Sequence, residues 1–206
     1  DLLRRIKPGR LYAVVAPTYP TLRDTTYRSF KDVANRVQRK FTTNKTEFIA
    51  TVQTRWSGPP AEVMFRSGKD ADTLRGPNLS GAWLDEGARL HADVLEIVSA
   101  ALREHGEAGW MTVTTTPRGR SHWTYEVFGK EPRPPGVFLQ RARTYDNPFL
   151  SADFIADVAA RYGGMRAMQE LEGLFIDIEG AEWPADYFGP GIWFDDWPRD
   201  LTCRVL

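Results

Sequence analysis

Cysteine is nearly absent from these 206 residues: Cys203 stands alone, which excludes an internal disulfide and fits a reducing compartment. Histidine is scarce as well. His91, His105 and His122 lie far apart in the chain with no cysteine at ligand spacing, so a zinc site is not expected. No apolar run approaches the roughly 20 residues that a membrane helix needs. The opening Asp1-Leu2-Leu3-Arg4-Arg5-Ile6-Lys7 has neither the apolar core nor the cleavage site of a signal peptide. No membrane association is expected. Internal repeats and low-complexity tracts are missing, and so is net charge: 27 Lys and Arg balance 27 Asp and Glu.

What is present suits one sizeable folded domain with a small appendage. Hydrophobic residues make up 42% and charged residues 26% of the chain, the mixture of an ordinary water-facing protein with a core. The zero balance hides a polarity. Residues 1–80 carry 15 Lys and Arg against 7 Asp and Glu, and residues 81–206 carry 12 against 20. Such asymmetry marks either a face for a polyanion or a solvated surface. Only six of the positive charges are lysine. The rest are arginine, the better fork for phosphate oxygens.

Leu11 to Ala16 is a short apolar run closed by Pro17, the pattern of a buried parallel strand. Thr18 and Pro20 then offer a helix cap and first turn. Leu22, Thr26, Phe30, Val33 and Val37 recur at helical spacing and predict an amphipathic helix with a basic outer face. Thr43-Asn44-Lys45 reads as a turn. Phe48 to Thr54 and Ala61 to Arg66 read as strands split by Ser57-Gly58-Pro59-Pro60. Gly81 to Leu84 is a further apolar strand. A helix with Val94, Leu95, Val98, Ala101 and Leu102 on one face follows, and then a strand from Trp110 to Thr114. Strands alternating with helices predict an α/β domain with a mainly parallel sheet. Beyond the Pro-rich segment Glu131 to Gly136, Val137 to Arg143 reads as a strand. Two helices come next, one carrying Phe154, Ile155, Val158, Ala159 and Tyr162 and one around Met165 to Leu171. From Asp177 the chain turns acidic and aromatic, with Trp183, Trp193 and Trp197.

The most informative local feature is Asp85-Glu86 behind an apolar strand. Ligands of parallel sheets bind beyond the carboxyl ends of strands, and both Asp85-Glu86 and Thr115-Thr116 fall at that edge. In P-loop ATPases an acid in this place holds magnesium, often through water, and a following Glu polarises the attacking water. The alternative is that the two acids only cap the next helix, where negative charge is favoured.

The surroundings decide between them. Leu74-Arg75-Gly76-Pro77-Asn78-Leu79-Ser80-Gly81-Ala82-Trp83-Leu84-Asp85-Glu86-Gly87 closely resembles the second nucleotide-binding motif of phage terminase large subunits. Ala16-Pro17-Thr18-Tyr19 resembles the element after their first helix, and Val113 to Gly119 their coupling motif. Thr144-Tyr145-Asp146-Asn147-Pro148-Phe149-Leu150 and Glu172-Gly173-Leu174-Phe175 are similar to their lid region in order and spacing. The resemblance runs from about residue 11 to 183. It implies a P-loop NTPase core of the RecA-like (ASCE) type with a mainly parallel sheet plus a small helical lid. The divisions it implies are an ATPase core over 1–139, a lid over 140–180 and a linker towards a nuclease domain over 181–206.

The resemblance also implies roles. Asp85 would organise Mg2+, through water, and Glu86 would be the catalytic carboxylate acting on ATP. Arg75 would reach a neighbouring subunit's nucleotide as an arginine finger; its alternative is an ion pair with an acid such as Asp72. Thr114, Thr115 and Thr116 would sense the γ-phosphate, although hydroxyls at a strand end also cap turns. Arg36, Arg39 and Lys40 on the basic helix, and Arg118 and Arg120 beside the coupling motif, are candidates for phosphate contacts to DNA without base readout. A solvated helix face is the other reading of the first cluster. The implied partners are double-stranded DNA, a portal protein, a small terminase subunit and further copies of the chain in a ring, within the cytoplasm of a bacterial host.

Two departures narrow the expectation. The pattern G-x-x-x-x-G-K-[ST] is absent. At the nearest approach, Gly68-Lys69, Asp70 follows where Ser or Thr is needed and Val63 replaces the first glycine. Leu2 to Ile6 reads as the end of the helix that such a loop would start, so the loop is expected upstream and the 206 residues alone are expected to hydrolyse nucleotide poorly or not at all. Arg204-Val205-Leu206 reads as the start of the family's nuclease, so the acidic tail is not a nuclease site. The competing functions are a RecA-like or superfamily-2 helicase, against which the lid segment argues, and an inactive prophage remnant, which a missing upstream loop would favour.

Overall fold

The computed structural model describes residues 1–177 apart from Lys45 and Gly163. The expected linker over 181–206, with its tryptophans, Cys203 and the expected nuclease start at Arg204 to Leu206, lies outside the described residues. So does the end of the lid segment at 178–180. Two compact units are present, Asp1–Thr116 and a second beginning at Pro117.

The first unit is built on a sheet of six strands in the order β2-β3-β4-β1-β5-β6. These are β1 (Leu11–Ala16), β2 (Phe41–Asn44), β3 (Ile49–Val52), β4 (Ala61–Ser67), β5 (Gly81–Leu84) and β6 (Trp110–Val113). β4, β1, β5 and β6 run parallel, and β2 and β3 extend the sheet antiparallel. β1 lies at the centre, and all its residues from Tyr12 to Ala16 are buried, as expected for a strand covered on both faces. Tyr12, Val14 and Ala16 join a cluster with Leu2, Leu3, Phe30 and Phe65. The period of two sends Ala13 and Val15 to the opposite face. Gly81 is required where it stands, because a Cβ there would collide with the Trp110 ring.

The short helix α1 (Leu2–Arg5) buries Leu2 and Leu3 against the sheet. The helix after β1 opens as predicted, with Thr18 Oγ1 accepting from the Thr21 backbone N–H and Pro20 in the first turn α2 (Tyr19–Thr21). It does not continue as one regular helix. Leu22–Thr26 winds as a π turn, and α3 (Tyr27–Arg36) follows. The π turn shifts the buried face onto Tyr27, Phe30 and Ala34, so Val33 and Val37, expected on that face, are exposed. α4 (Ala92–Ala101) buries Val94, Ile97, Val98 and Ala101, close to the predicted stripe; Leu102 falls past the helix end.

Two further expectations are corrected. Thr43 and Asn44 belong to β2, and the turn comes after them. Asn44 Oδ1 accepts from the N–H groups of Thr46 at 3.0 Å and Glu47 at 3.2 Å, so the turn signal is real but one step displaced. Val137 to Arg143 forms no strand. Among the described residues it has no ladder partner, and Phe138 is left 89% exposed. The segment's two end N–H groups find local acceptors instead, Val137 at the Pro134 carbonyl and Arg143 at Asp146 Oδ2. The rest of the second unit holds α5 (Ala152–Arg161) and α6 (Gly164–Glu172), where two helices were read. No helix among the described residues is long and apolar enough to cross a membrane.

Candidate functional site

Asp85 stands at the carboxyl end of β5, one residue past the strand. Its backbone N–H still donates to Val15 of β1 at 2.8 Å, which fixes it at the sheet edge. Both carboxylate oxygens are engaged. Oδ1 accepts from Thr114 Oγ1 at 2.8 Å and Oδ2 from Thr26 Oγ1 at 2.6 Å. Trp83 Nε1, which can only donate, donates to Thr114 Oγ1 at 2.7 Å, so the Thr114 hydroxyl accepts from the indole while it donates to Asp85.

Glu86 follows in the left-handed region at φ 53°, ψ 48°, a conformation that costs a side-chain-bearing residue about 1–2 kcal/mol. The next residues fasten it. Gly87 N–H donates to the Thr114 carbonyl at 2.9 Å, and Ala88 N–H to Thr115 Oγ1 at 2.8 Å. Gly87 has no room for a side chain, because a Cβ would meet Val113 Cγ1 at 2.5 Å. Strain held in place by several contacts is a recurring property of functional turns. Among the described residues the Glu86 carboxylate makes no hydrogen bond or ion pair, and it is partly exposed.

The three threonines after β6 separate by geometry. Thr114 reaches Asp85, and Thr115 caps the turn after Glu86 while donating to the Thr116 carbonyl at 3.0 Å. The Thr116 side chain joins neither group. Beside Thr114 a cleft of about 230 Å³ opens between α1 and α3, walled by Leu2, Leu3, Phe30, Val33 and Trp83.

The other candidates lie elsewhere. Arg75 caps the 3-10 segment Gly68–Leu74 after β4 and pairs with Asp72 at 2.8 Å, both side chains exposed. Gly68-Lys69 opens that same segment and forms no phosphate-binding loop. Gly68 is small because the Leu90 side chain fills the space that a Cβ would take. Arg36 ends α3, and Arg39 and Lys40 follow in the crossing to β2. There, Arg39 N–H donates to the Ala34 carbonyl at 2.8 Å. No ion pair involves these three among the described residues, and their charge also favours the carboxyl end of α3. Arg118 and Arg120 belong to the second unit. The Arg120 N–H donates to Asp177 Oδ1 at 2.7 Å. Nearby, burial first and the Arg118 charge second hold the His122 ring below its ordinary pKa.

Thr26 and Trp83 are the residues that sequence reasoning missed. Thr26 sat on a helical stripe otherwise made of apolar residues, and a lone hydroxyl in such a stripe was the one available signal. For a cation the donor set is lean: among the described residues no group of three His, Cys, Asp or Glu could hold a metal. That leanness fits magnesium, which keeps several waters and takes one or two carboxylates together with substrate phosphates. Each Asp85 oxygen accepts one hydroxyl and retains a lone pair for such a water.

The family model described as terminase large subunit, T4likevirus-type, N-terminal matches residues 11–189. The PBSX phage terminase large subunit of Bacillus subtilis (strain 168) is 24% identical over 146 residues, which is 70% of this chain and 33% of that protein. Among solved structures, the large terminase from a thermophilic bacteriophage, in complex with ADP, superposes with a TM-score of 0.72 at 18% identity, over 84% of this chain and 42% of that one. The same terminase in complex with ATP-gamma-S gives 0.69 at 17% identity, over 84% and 41%. The large terminase ATPase domain of Thermus phage P74-26 gives 0.64 at 21% identity, over 82% and 78%. The chain thus spans about a third of the curated relative and about two fifths of the thermophilic bacteriophage's terminase.

Proposed function

This chain belongs to the T4likevirus-type terminase large-subunit family, and on that premise we propose that it is the ATP-hydrolysing part of a motor that drives double-stranded viral DNA into a procapsid. The observation that carries the reading is the Asp85 carboxylate, held at the carboxyl edge of a parallel sheet by Thr26 and Thr114, with Glu86, whose carboxylate has no partner among the described residues, beside it. The thermophilic bacteriophage's terminase is seen with ADP and with ATP-gamma-S, which supports a nucleotide as the ligand here.

Asp85 would hold a magnesium ion, and Glu86 would accept the proton of the water that attacks the γ-phosphate as ADP leaves. Magnesium, when bound, supplies neutralisation of the charge that develops on the phosphate oxygens. Thr114 is the coupling residue, because its hydroxyl ties the end of β6 to the Asp85 carboxylate. Arg75 acts in trans: its ion pair with Asp72 is exposed and is readily exchanged for a phosphate on a neighbouring copy. Arg36, Arg39, Lys40, Arg118 and Arg120 contact DNA phosphates, and the lid, over 140–180, carries the motion. The portal protein and the small terminase subunit complete the assembly in the bacterial host's cytoplasm.

Asp85→Asn in the full-length protein tests the reading. Asparagine keeps the shape and offers one acceptor oxygen in place of two. Magnesium-dependent ATP hydrolysis is expected to fall at least about 100-fold, and hydrolysis near the wild-type rate overturns the assignment.

A further inference from the structure

We propose that Thr26 is a positioning residue for the metal-organising carboxylate, and that the π turn preceding α3 exists to deliver its hydroxyl to Asp85. The inference rests on the reading of Asp85 given above and adds a residue that lies 59 positions away in the chain.

Three observations carry it. First, Thr26 is fully buried, and its Oγ1 donates to Asp85 Oδ2 at 2.6 Å, the short distance of a hydroxyl on a charged acceptor. Second, the backbone is wound to allow this. A helical threonine commonly returns its hydroxyl to the carbonyl four residues back. Here the Leu22 carbonyl takes the Tyr27 N–H, the wide pairing of a π turn, and the Thr26 hydroxyl is aimed at the sheet edge. Single π turns within α-helices occur mostly at functional sites. Third, the two hydroxyls on Asp85 differ in kind. Thr114 is exposed, whereas Thr26 is fully buried, as are Leu22 and Tyr27 on the same face of its helix.

A buried hydroxyl whose acceptor is a carboxylate orients that carboxylate, in the way that outer-shell partners of metal ligands commonly do. It leaves one lone pair on Oδ2 for a metal-bound water. Serine at this position would retain the donor. Valine would retain the shape and lose the donor.

The test is Mn2+ binding to the full-length protein in the presence of ADP, read by the electron paramagnetic resonance of free Mn2+, alongside ADP binding without metal. Thr26→Val is expected to weaken Mn2+ binding by about tenfold and to leave metal-free ADP affinity within about twofold, while Thr26→Ser returns Mn2+ affinity to within about threefold of wild type. Thr26→Ala carries the same comparison if valine prevents folding. Wild-type Mn2+ affinity in Thr26→Val, with affinity lost in Asp85→Asn, overturns the role of Thr26 alone. An equal loss of metal-free ADP binding makes Thr26 merely structural and also overturns it. Wild-type Mn2+ affinity in Asp85→Asn overturns the underlying reading of Asp85.

Discussion

Trp83 and Thr114, on neighbouring parallel strands, are joined by an indole N–H donated to a hydroxyl at 2.7 Å. The same hydroxyl donates to Asp85 at 2.8 Å. A strand-end carboxylate held by hydroxyl donors is suited to organising a cation and its waters. Glu86, beside it, is left without a partner among the described residues and is turned into the left-handed region. The two acids adjoin in sequence and have been given opposite treatment, one immobilised and one presented.

The left-handed backbone at Glu86 makes stability and activity separable. Glu86→Gly removes the Cβ that is disfavoured at φ 53°, at some cost in unfolded-chain entropy. It is expected to be more stable than Glu86→Ala by roughly 1 kcal/mol in urea denaturation, while both variants lose ATP hydrolysis. A glycine variant no more stable than the alanine variant would show that the turn is unstrained.

Much of this was open to sequence reasoning, for identifiable reasons. β1, β4 and β5 are parallel strands whose burial writes itself as short apolar runs, the half-buried β6 reads the same way, and Asp85-Glu86 is legible as the end of one of them. β2 was hidden because Phe41-Thr42-Thr43-Asn44 is an edge strand ending in a turn-forming residue. Val137 to Arg143 misled for the opposite reason: its composition suits a strand, but a strand needs a neighbour and none is supplied. The π turn leaves no periodic signature in five residues. Thr26 therefore read as one more member of an apolar stripe, and its meeting with Asp85 is a tertiary fact.

Arg75 should matter to turnover and hardly to folding. Its pair with Asp72 joins side chains that are 65% and 91% exposed, so Arg75→Ala is expected to change stability by less than about 0.5 kcal/mol. In assemblies of the full-length protein, ATP turnover is expected to drop by about 10³-fold. Mixing Arg75→Ala with Glu86→Ala subunits restores part of the activity, because each supplies what its neighbour lacks. Absence of any recovery on mixing would mean that Arg75 does not act between subunits.

Asp146, within the segment that resembles the family's lid, gives a pH signature. Hydrogen bonds from the Arg143 side chain, and then from its backbone, lower its carboxyl to about 2. A depressed acid contributes its stabilisation above the ordinary carboxylate value and loses it as pH falls through the folded value. The Arg143–Asp146 contact is therefore expected to persist at pH 4 and to be lost towards pH 2. A carboxyl-carbon NMR titration should show a midpoint near 2, rising part of the way towards the ordinary carboxylate value in Arg143→Gln, which removes the guanidinium and keeps the backbone donor. A midpoint near 4 in the unaltered chain would contradict the contact.

The most direct test of the motor assignment is a paired measurement on Glu86→Ala in the full-length protein: steady-state ATP hydrolysis, and ATP binding by equilibrium titration. Loss of hydrolysis by about 10³-fold or more with ATP affinity kept within a few-fold is the predicted result, since in the proposed mechanism Glu86 acts on the water and not on the nucleotide. Turnover close to that of the wild type would contradict the account.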